Sequence, residues 1–259
     1  MIDLHCHLLP GLDDGPPTLD ASLAIGRAAR GAGVTTIVAT PHVREDYPFD
    51  PARIPDLVGQ VNAAFDAEDL GVHALAGGEL ALTKTPEMAD EEIQRVALGG
   101  GPYVLVESPY VAMTDLLDQE LFNLQVRGFR PLLAHPERSP SFIRDVSRLA
   151  ELVERGILCS LTAGSLAGRF GRTVQRACVE MLSKGLVHNV ASDAHAATGR
   201  GPGLLWGFDA LEEHLPGIAE QAPWYTQEAP AAVLSGEDLP PRPAPPSRGG
   251  RLARLLGRG

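Results

Sequence analysis

Apolar, β-branched runs alternate with amphipathic segments along most of the chain. Seven such runs predict buried strands: Ile2–Leu8, Thr35–Thr40, Ala74–Gly78, Tyr103–Glu107, Pro131–His135, Ile157–Leu161 and Val187–Ser192. Apolar residues recur at helical spacing between them, over residues 19–32, 51–69, 87–98, 114–127, 141–155 and 171–184. A regular alternation of strand and helix requires right-handed crossovers. The pattern therefore predicts a parallel sheet, either open or closed into a barrel.

Imidazoles and carboxylates stand at or just beyond the carboxyl ends of the predicted strands. They are His5, His7, Asp14, His42, Glu79, Glu107, His135, Asp193 and His195. In a parallel barrel these ends meet at one rim, where such folds hold their active sites. Each residue alone has a structural explanation, such as a buried histidine with a partner or a glutamate that caps a helix. Nine such side chains packed at one rim without partners would repel one another or lose their contact with water at a cost in free energy. We therefore expect divalent cations to bind them.

The size and chemistry of this residue set constrain the metal centre. Five imidazoles and four carboxylates exceed the roughly four to six ligands that one ion uses. Two or three divalent ions are therefore expected. Mixed nitrogen and oxygen ligands without thiolate suit Mn, Fe or Zn better than Ca or Mg, and the sequence does not choose among those three.

Two arginines follow predicted metal ligands closely. Arg138 lies in "HPER" after His135, and Arg200 lies in "HAATGR" after His195. Guanidinium groups at such a rim could bind the oxygens of a phosphate in a bidentate manner. The alternative is that they pair with surface acids, which would contribute little. Their position beside the ligands favours phosphate, and metal ions can activate water for phosphoryl transfer.

Composition and charge exclude several classes of protein. The chain has 259 residues, of which 44% are hydrophobic and 21% charged, as in an ordinary globular protein. Neither a long apolar run nor signal-peptide features occur, so a cytoplasmic protein is expected. Cys6, Cys159 and Cys178 lack CxxC spacing and are interpreted as reduced thiols. Residues 1–238 carry 17 basic and 33 acidic side chains, which disfavours binding of nucleic acid.

The end of the chain differs from the rest. Residues 239–259 contain five arginines, no acid and many prolines and glycines, a composition typical of flexible segments. We expect a folded domain over residues 1–238 and a flexible basic tail over residues 239–259. The tail could contact an acidic lipid surface or an acidic partner weakly, but a solvated terminus is the favoured interpretation.

Several motifs together resemble a known family over about residues 1–236. "HxH" near the N-terminus and "SDAH" are typical of the PHP superfamily, and "GLDDG", "HPER" and the late "GR" resemble its bacterial capsule-biosynthesis protein-tyrosine phosphatases. That resemblance implies a manganese-dependent enzyme on a distorted (β/α)7 barrel. It also implies that the nine residues above bind three metal ions, with Glu107 bridging, and that Arg138 and Arg200 bind phosphate.

The resemblance also implies a reaction and a partner. A metal-bridging hydroxide would attack phosphorus in line, and His42 or a metal-bound water could protonate the leaving group. The expected substrate is a phosphotyrosyl protein, in particular a bacterial tyrosine kinase of polysaccharide export. A cysteine-based phosphatase is disfavoured, because none of the three cysteines is followed six residues later by arginine.

Three other functions stay open at this point. A small phosphomonoester such as histidinol phosphate could be the substrate on the same fold. An amidohydrolase is disfavoured, because Glu107 stands where such enzymes commonly carry a carboxylated lysine, and Lys84 and Lys184 are the chain's two lysines. A non-catalytic, metal-stabilised protein that binds phosphotyrosine is the third.

Overall fold

The computed structural model describes residues 1–108 and 114–245 of the chain. The described strands are β1 (Ile2–Cys6), β2 (Thr36–Ala39), β3 (His42–Val43), β4 (His73–Ala76), β5 (Glu79–Leu80), β6 (Tyr103–Glu107), β7 (Arg130–Ala134), β8 (Leu158–Thr162) and β9 (Asn189–Ala191). All seven predicted strand positions hold β-structure. The short strands β3 and β5 were not predicted, and they follow β2 and β4 after two-residue interruptions.

The strands form two parallel sheets. One sheet has the order β1-β2-β4 and the other has the order β3-β5-β6-β7-β8-β9. The prediction of parallel pairing is confirmed. At the far edge, the segment after β9 returns to β1, where Asp193 N donates to His5 O at 2.8 Å and His7 N donates to Ala194 O at 2.8 Å. Parallel pairing places the carboxyl ends of the strands on the same side of the molecule.

The glycine pair between β4 and β5 allows this close packing of strands. A Cβ at Gly77 would lie 2.7 Å from Val38 Cγ1, and a Cβ at Gly78 would lie 2.9 Å from Val43 Cγ2. Any larger residue would therefore push β4 and β5 away from β2 and β3. The pair thus keeps Glu79, the next residue, at the centre of the site described below.

Ten α-helices are described, and most of them cover the outer faces of the sheets. They are α1 (Leu19–Gly31), α2 (Ile54–Ala67), α3 (Asp90–Arg95), α4 (Thr114–Val126), α5 (Pro140–Arg144), α6 (Ser147–Glu154), α7 (Ala163–Leu166), α8 (Arg172–Ser183), α9 (Leu205–Leu211) and α10 (Ala229–Ser235). A short π-helix, Trp224–Glu228, precedes α10. None of α7, α9 and α10 was predicted, and each has seven residues or fewer.

The prediction of one helix over residues 141–155 is wrong. Asp145 adopts an extended conformation, with φ of −144°, and separates α5 from α6. Its carboxylate accepts a hydrogen bond from Ser147 N at 3.0 Å. An aspartate that satisfies the first free amides of a helix favours a new helix start over continuation.

Apolar side chains from both sheets meet in one buried cluster. Leu4 and Val38 of the first sheet pack in one buried cluster with Leu105 and Leu132 of the second, and Val233 of α10 joins them. This shared cluster ties the two sheets together. Within the described residues, no helix is both long enough and apolar enough to cross a membrane.

The first part of the predicted tail packs on the body. The Trp224 indole N–H donates to Pro240 O at 3.4 Å, and Gln221 Nε2 donates to Ala244 O at 3.1 Å. The Arg242 guanidinium lies 5.3 Å from the centre of the Trp224 ring, a favourable cation–π arrangement. Residues 240–244 thus contact the body, and the division into a domain over residues 1–238 and a flexible tail stays a prediction. The remainder of the tail, residues 246–259, lies outside the described residues.

Candidate metal centre

The structure brings all nine predicted metal ligands to one place. They form four overlapping groups, in each of which one ligand atom per residue lies within 4.8 Å of the others. The groups are His7, Asp14, His42 and His195; His5, His7 and Asp193; His5, Glu79 and His135; and His42, Glu79 and Glu107. We call these nine residues the histidine cluster. Whether they bind metal stays a prediction, but their convergence follows from the parallel strands that carry them.

Glu79 lies at the centre of the histidine cluster. Its Oε2 lies 2.9 Å from His42 Nδ1 and 3.4 Å from His5 Nε2, and its Oε1 lies 2.8 Å from His135 Nε2. Glu107 lies further out, with Oε1 3.5 Å from the Arg44 guanidinium. The bridging role that the resemblance implies for Glu107 stays a prediction. The contacts place Glu79 nearer than Glu107 to the histidines.

Asp13 was missed in the sequence, where Asp14 alone was chosen from the pair. The Asp13 carboxylate accepts hydrogen bonds from His42 N at 2.9 Å and Gly15 N at 2.9 Å, and it lies 2.6 Å from His7 Nδ1. A proton on His7 Nδ1 makes that last contact a hydrogen bond and leaves Nε2 bare. Carboxylates commonly orient metal-binding histidines in this way. The signal was present in "GLDDG", where both aspartates precede a glycine.

Asp14 faces the other way. Its side chain is 44% exposed, and its Oδ1 lies 3.3 Å from His195 Nε2 and 3.6 Å from His42 Nε2. The two adjacent aspartates thus have different surroundings. Asp13 contacts Nδ1 of His7, the ring nitrogen that faces away from the other ligands, whereas the Asp14 carboxylate faces His42 and His195 directly.

Several buried polar atoms of the cluster point at one another without hydrogen-bonding geometry. In the described part of the chain, His5 Nε2, His7 Nε2, His42 Nδ1 and Glu79 Oε2 have no hydrogen-bond partner. Buried polar atoms are nearly always hydrogen-bonded, so atoms of this kind that converge indicate a ligand. Nitrogen and oxygen donors in this number fit divalent cations such as Mn, Fe or Zn.

The two predicted phosphate-binding arginines meet at a single carboxylate. Asp193 Oδ2 accepts hydrogen bonds from Arg138 Nη2 at 2.6 Å and Arg200 Nη2 at 2.8 Å. Its other oxygen, Oδ1, lies 3.5 Å from His5 Nε2 and 3.4 Å from His7 Nε2. Asp193 therefore connects the arginines directly to the histidine cluster. In the structure both arginines pair with the buried Asp193, and not with surface acids as in the alternative.

Arg138 is held more firmly than Arg200. Its side chain is 9% exposed, against 40% for Arg200. Arg138 Nη2 also donates to Thr162 Oγ1 at 2.6 Å, and its guanidinium lies 4.1 Å from the centre of the Phe170 ring. These contacts fix the direction of the guanidinium toward a pocket of about 140 Å³ that the cluster lines.

Burial and neighbouring charges shift the pKa values of the cluster residues, upward for some and downward for others. Burial would raise the pKa of Asp193, but the nearby charges of His5, Arg138 and His7 hold that pKa well below its usual range. Burial, followed by repulsion from Glu79, raises the pKa of Glu107. Burial, followed by repulsion from His7, lowers the pKa of His195 to about 4. A metal-binding imidazole must be neutral, and the lowered pKa of His195 favours that form.

The cysteines take no part in the four ligand groups. Cys6, Cys159 and Cys178 are free and buried, in agreement with their interpretation as reduced thiols. Cys6 lies between His5 and His7 in sequence, but its side chain packs in a hydrophobic cluster of the first sheet. The alternation of side chains along a strand accounts for this difference.

Comparison with known proteins shows the family of this chain. A family model described as capsular polysaccharide synthesis, CpsB/CapC, matches residues 1–221. The chain belongs to the CpsB/CapC family. The resemblance to capsule-biosynthesis phosphatases is thereby confirmed at the level of the family.

Two curated members of the CpsB/CapC family cover most of the chain. Tyrosine-protein phosphatase YwqE of Bacillus subtilis (strain 168) is 33% identical over 247 residues, which are 94% of this chain and 96% of that protein. Tyrosine-protein phosphatase CpsB of Streptococcus pneumoniae is 27% identical over 219 residues, which are 82% of this chain and 89% of that protein.

Solved structures extend the likeness to three dimensions. A structure described as that of YwqE and CpsB, "unique metal-dependent tyrosine phosphatases", has a TM-score of 0.83 and 31% identity, and it covers 97% of this chain and 100% of that chain. A β-aspartyl dipeptidase of Fervidobacterium islandicum has a TM-score of 0.55 at 15% identity, over 91% of this chain and 74% of that chain. The second likeness concerns the fold alone.

Proposed function

We propose that this CpsB/CapC protein is a metal-dependent phosphatase that hydrolyses phosphotyrosine in proteins. The observation that carries the proposal is the convergence of Arg138 and Arg200 on Asp193, whose other oxygen faces the histidine cluster. A phosphoryl group in this pocket would meet two guanidinium groups and a set of metal ligands together. The names of YwqE and CpsB support tyrosine phosphatase activity in this family.

The histidine cluster would hold two or three divalent ions. We propose that His5, His7, Asp14, His42, Glu79, Glu107, His135, Asp193 and His195 would hold them, with Glu79 at the centre of the set. Manganese is the proposed metal, and iron and zinc fit the same donors. When bound, such ions supply a water of lowered pKa and neutralise charge on phosphoryl oxygens.

The remaining steps belong to side chains of the chain itself. Arg138 and Arg200 would bind the outer phosphoryl oxygens, and Thr162 and Phe170 keep Arg138 in position for this. These donors stabilise charge without having to move during the reaction. A tyrosyl oxygen leaves readily, because the pKa of a phenol is about 10. His42 is also the proposed donor of a proton to the leaving tyrosyl oxygen. It would donate from the ring nitrogen that binds no ion.

The proposal extends to the fold and the setting. We propose that the two sheets together make a distorted (β/α)7 barrel of the PHP type, supported by the backbone hydrogen bonds between β1 and the segment after β9 and by the shared apolar cluster. Free, buried cysteines are compatible with a cytoplasmic protein. The proposed substrate is a tyrosine kinase of polysaccharide export, in line with the capsule-synthesis description of the family.

The test is metal-dependent turnover on competing substrates. Metal-depleted protein is reconstituted with Mn, Fe, Zn or Mg and assayed on a phosphotyrosyl peptide, a phosphoseryl peptide and histidinol phosphate, with His7→Ala as a control. We expect turnover that needs metal, is highest on the phosphotyrosyl peptide and is lost in the variant. A preference for histidinol phosphate would move the protein to small-molecule phosphatases. Binding of the peptide without turnover under any metal would contradict an enzymatic role.

A further inference from the structure

A groove of about 650 Å³ opens beside the candidate metal centre. The end of β3 and the segment that follows it, residues 43–45 and 47–51, form one wall, and residues 84, 87, 88 and 92 form the other. Arg44 lines both this groove and the catalytic pocket. Tyr47, also in the groove, stacks on His42 with ring centres 5.3 Å apart and an angle of 11° between the rings. The groove is therefore continuous with the catalytic pocket.

The catalytic pocket is much smaller than the groove beside it. Its volume is about 140 Å³, against about 650 Å³ for the groove. A phosphoryl group near Arg138 and Arg200 would lie in the pocket, and the chain on either side of the phosphotyrosine would lie outside it. The groove begins at that point, and its volume lies within the usual range of ligand sites, about 300–1,000 Å³.

The groove has an apolar floor. Val43, Phe49 and Met88 line it together with Pro48 and Pro51. Phe49 and Met88 are partly buried and pack against the hydrophobic clusters beneath them, so their positions are set by the fold. Such a floor favours contact with an apolar side chain of a ligand.

The rim of the groove is acidic. Four carboxylates line it, namely Glu45, Asp50, Glu87 and Glu92, against two cations, Arg44 and Lys84. Both cations already have partners, since Arg44 Nε lies 2.6 Å from Asp46 Oδ1 and Lys84 Nζ lies 2.9 Å from Glu87 Oε2. Among the described residues, Glu45, Asp50 and Glu92 form no such ion pair. The uncompensated charge of the groove is negative.

We propose that this groove binds the polypeptide segment next to the phosphotyrosine of the substrate, and that it selects segments with an apolar side chain and a lysine or arginine. This inference rests on the proposed function and adds substrate recognition to it. The metal centre binds the phosphoryl group irrespective of its source. The groove distinguishes a protein substrate from a small phosphomonoester, through apolar contact and opposite charge.

The test compares peptides and a small substrate on groove variants of the full chain. The groove variants are Phe49→Ala, Met88→Ala and the double variant Glu45→Lys/Glu87→Lys. The matched controls are Phe122→Ala, an exposed aromatic of α4, and Glu151→Lys/Glu154→Lys on α6, which change the same kinds of side chain away from the groove. Substrates are phosphotyrosyl peptides with basic or acidic flanks, and p-nitrophenyl phosphate.

We expect Phe49→Ala and Met88→Ala to lower kcat/KM on the basic peptide about 5- to 10-fold and to leave p-nitrophenyl phosphate hydrolysis unchanged. The charge-reversed double variant should invert the preference between basic and acidic peptides, and the controls should behave as the wild type. Equal losses on p-nitrophenyl phosphate, or groove variants indistinguishable from the controls, would overturn the inference.

A binding measurement separates this inference from the proposed function. Fluorescence anisotropy with a basic peptide that carries a non-hydrolysable phosphonate analogue of phosphotyrosine reports on the groove without turnover. If the peptide binds more weakly to the groove variants than to the wild type and the controls, the groove proposal is supported, whether or not the wild type hydrolyses the peptide. If the wild type hydrolyses no peptide, the phosphatase proposal is refuted, and the groove proposal is not. Binding that is equal in all variants refutes the groove whatever the turnover.

Discussion

Two buried polar regions both include residues of, or just after, β1 and β9, and they differ in whether their buried polar atoms have hydrogen-bond partners. One region, which we call the inner network, consists of Asp3, Ser160, Asn189 and Ser192. Asp3 Oδ1 accepts from Ser192 N at 2.9 Å, and Asn189 Nδ2 donates to Tyr225 O at 3.1 Å. The histidine cluster begins a few residues further along, and four of its buried atoms lack a hydrogen-bond partner among the described residues. The polar side chains of the inner network have hydrogen-bond partners within the protein. The unpartnered atoms of the histidine cluster are instead available to a ligand.

The difference follows from the energy of burying polar groups. A buried donor or acceptor without a partner costs about 1–3 kcal/mol, so the inner network stabilises the fold by avoiding that cost. The histidine cluster carries such a cost, which a bound cation would offset. Substitutions in the inner network should therefore change stability, and substitutions in the cluster should change metal binding and activity. This trade between stability and function is common in active sites.

The largest effect is expected at the centre of the cluster. Glu79→Gln removes the charge of the carboxylate that faces His5, His42 and His135, while it keeps the shape of the side chain. Activity should fall below detection, and bound metal, measured by plasma mass spectrometry, should decrease. Because a ligand that binds the folded state raises Tm, manganese should raise the Tm of the wild type but not that of the variant. An unchanged metal content would contradict the central position of Glu79.

A smaller effect is expected at the arginine that joins the cluster from outside. Arg138→Ala should lower kcat about 10²- to 10³-fold, as the loss of one preorganised charge-stabilising donor does, and should leave the metal content unchanged. Arg138→Lys should recover only part of the rate, because lysine lacks the planar fork of the guanidinium. Arg144→Ala on α5 is the control, because among the described residues its guanidinium bonds only to Pro140 O of its own helix. Loss of metal in Arg138→Ala would show that the arginine acts through the cluster instead.

Asp13 tests whether the cluster depends on partners behind its ligands. Asp13→Asn weakens the acceptor that His7 Nδ1 and His42 N share. Such partners typically change metal affinity or activity by about 10- to 100-fold. A titration of metal-depleted protein with manganese should show that loss of affinity, and Asp20→Asn on the exposed side of α1 should not. An unchanged manganese affinity would assign Asp13 to the fold alone.

The sequence was sufficient to predict which residues would meet at the rim. His5, His42 and His135 each lie at or just after the end of a predicted strand, and parallel pairing brings such ends together whatever the detailed register. Their convergence therefore needed only the order of strands and helices. The arginines were found from their position just after predicted ligands, and the resemblance added the family, both through motifs that are local in sequence.

The sequence could not predict which carboxylate lies in the middle. That depends on the register between strands, in which Glu79 pairs with His42 on one side and Leu105 on the other, so that Glu107 lies two residues further out. It also could not separate Asp13 from Asp14, because the turn that buries one and exposes the other is set by contacts with His7 and His42. The break of the helix at Asp145 had a local signal, an aspartate two residues before a serine, but the amphipathic pattern continued across it.

The smallest effect on activity is expected in the inner network. Asn189→Ala leaves the Ser160 hydroxyl and the Tyr225 carbonyl without their partner, so unfolding should become easier by about 2 kcal/mol. In a chain of this size that lowers Tm by about 4–8 °C, measured by circular dichroism. The rise of Tm on addition of manganese should equal that of the wild type, because no atom of the histidine cluster is changed. If the variant instead loses the manganese response and keeps its stability, the two regions are one functional unit, and the division between them is wrong.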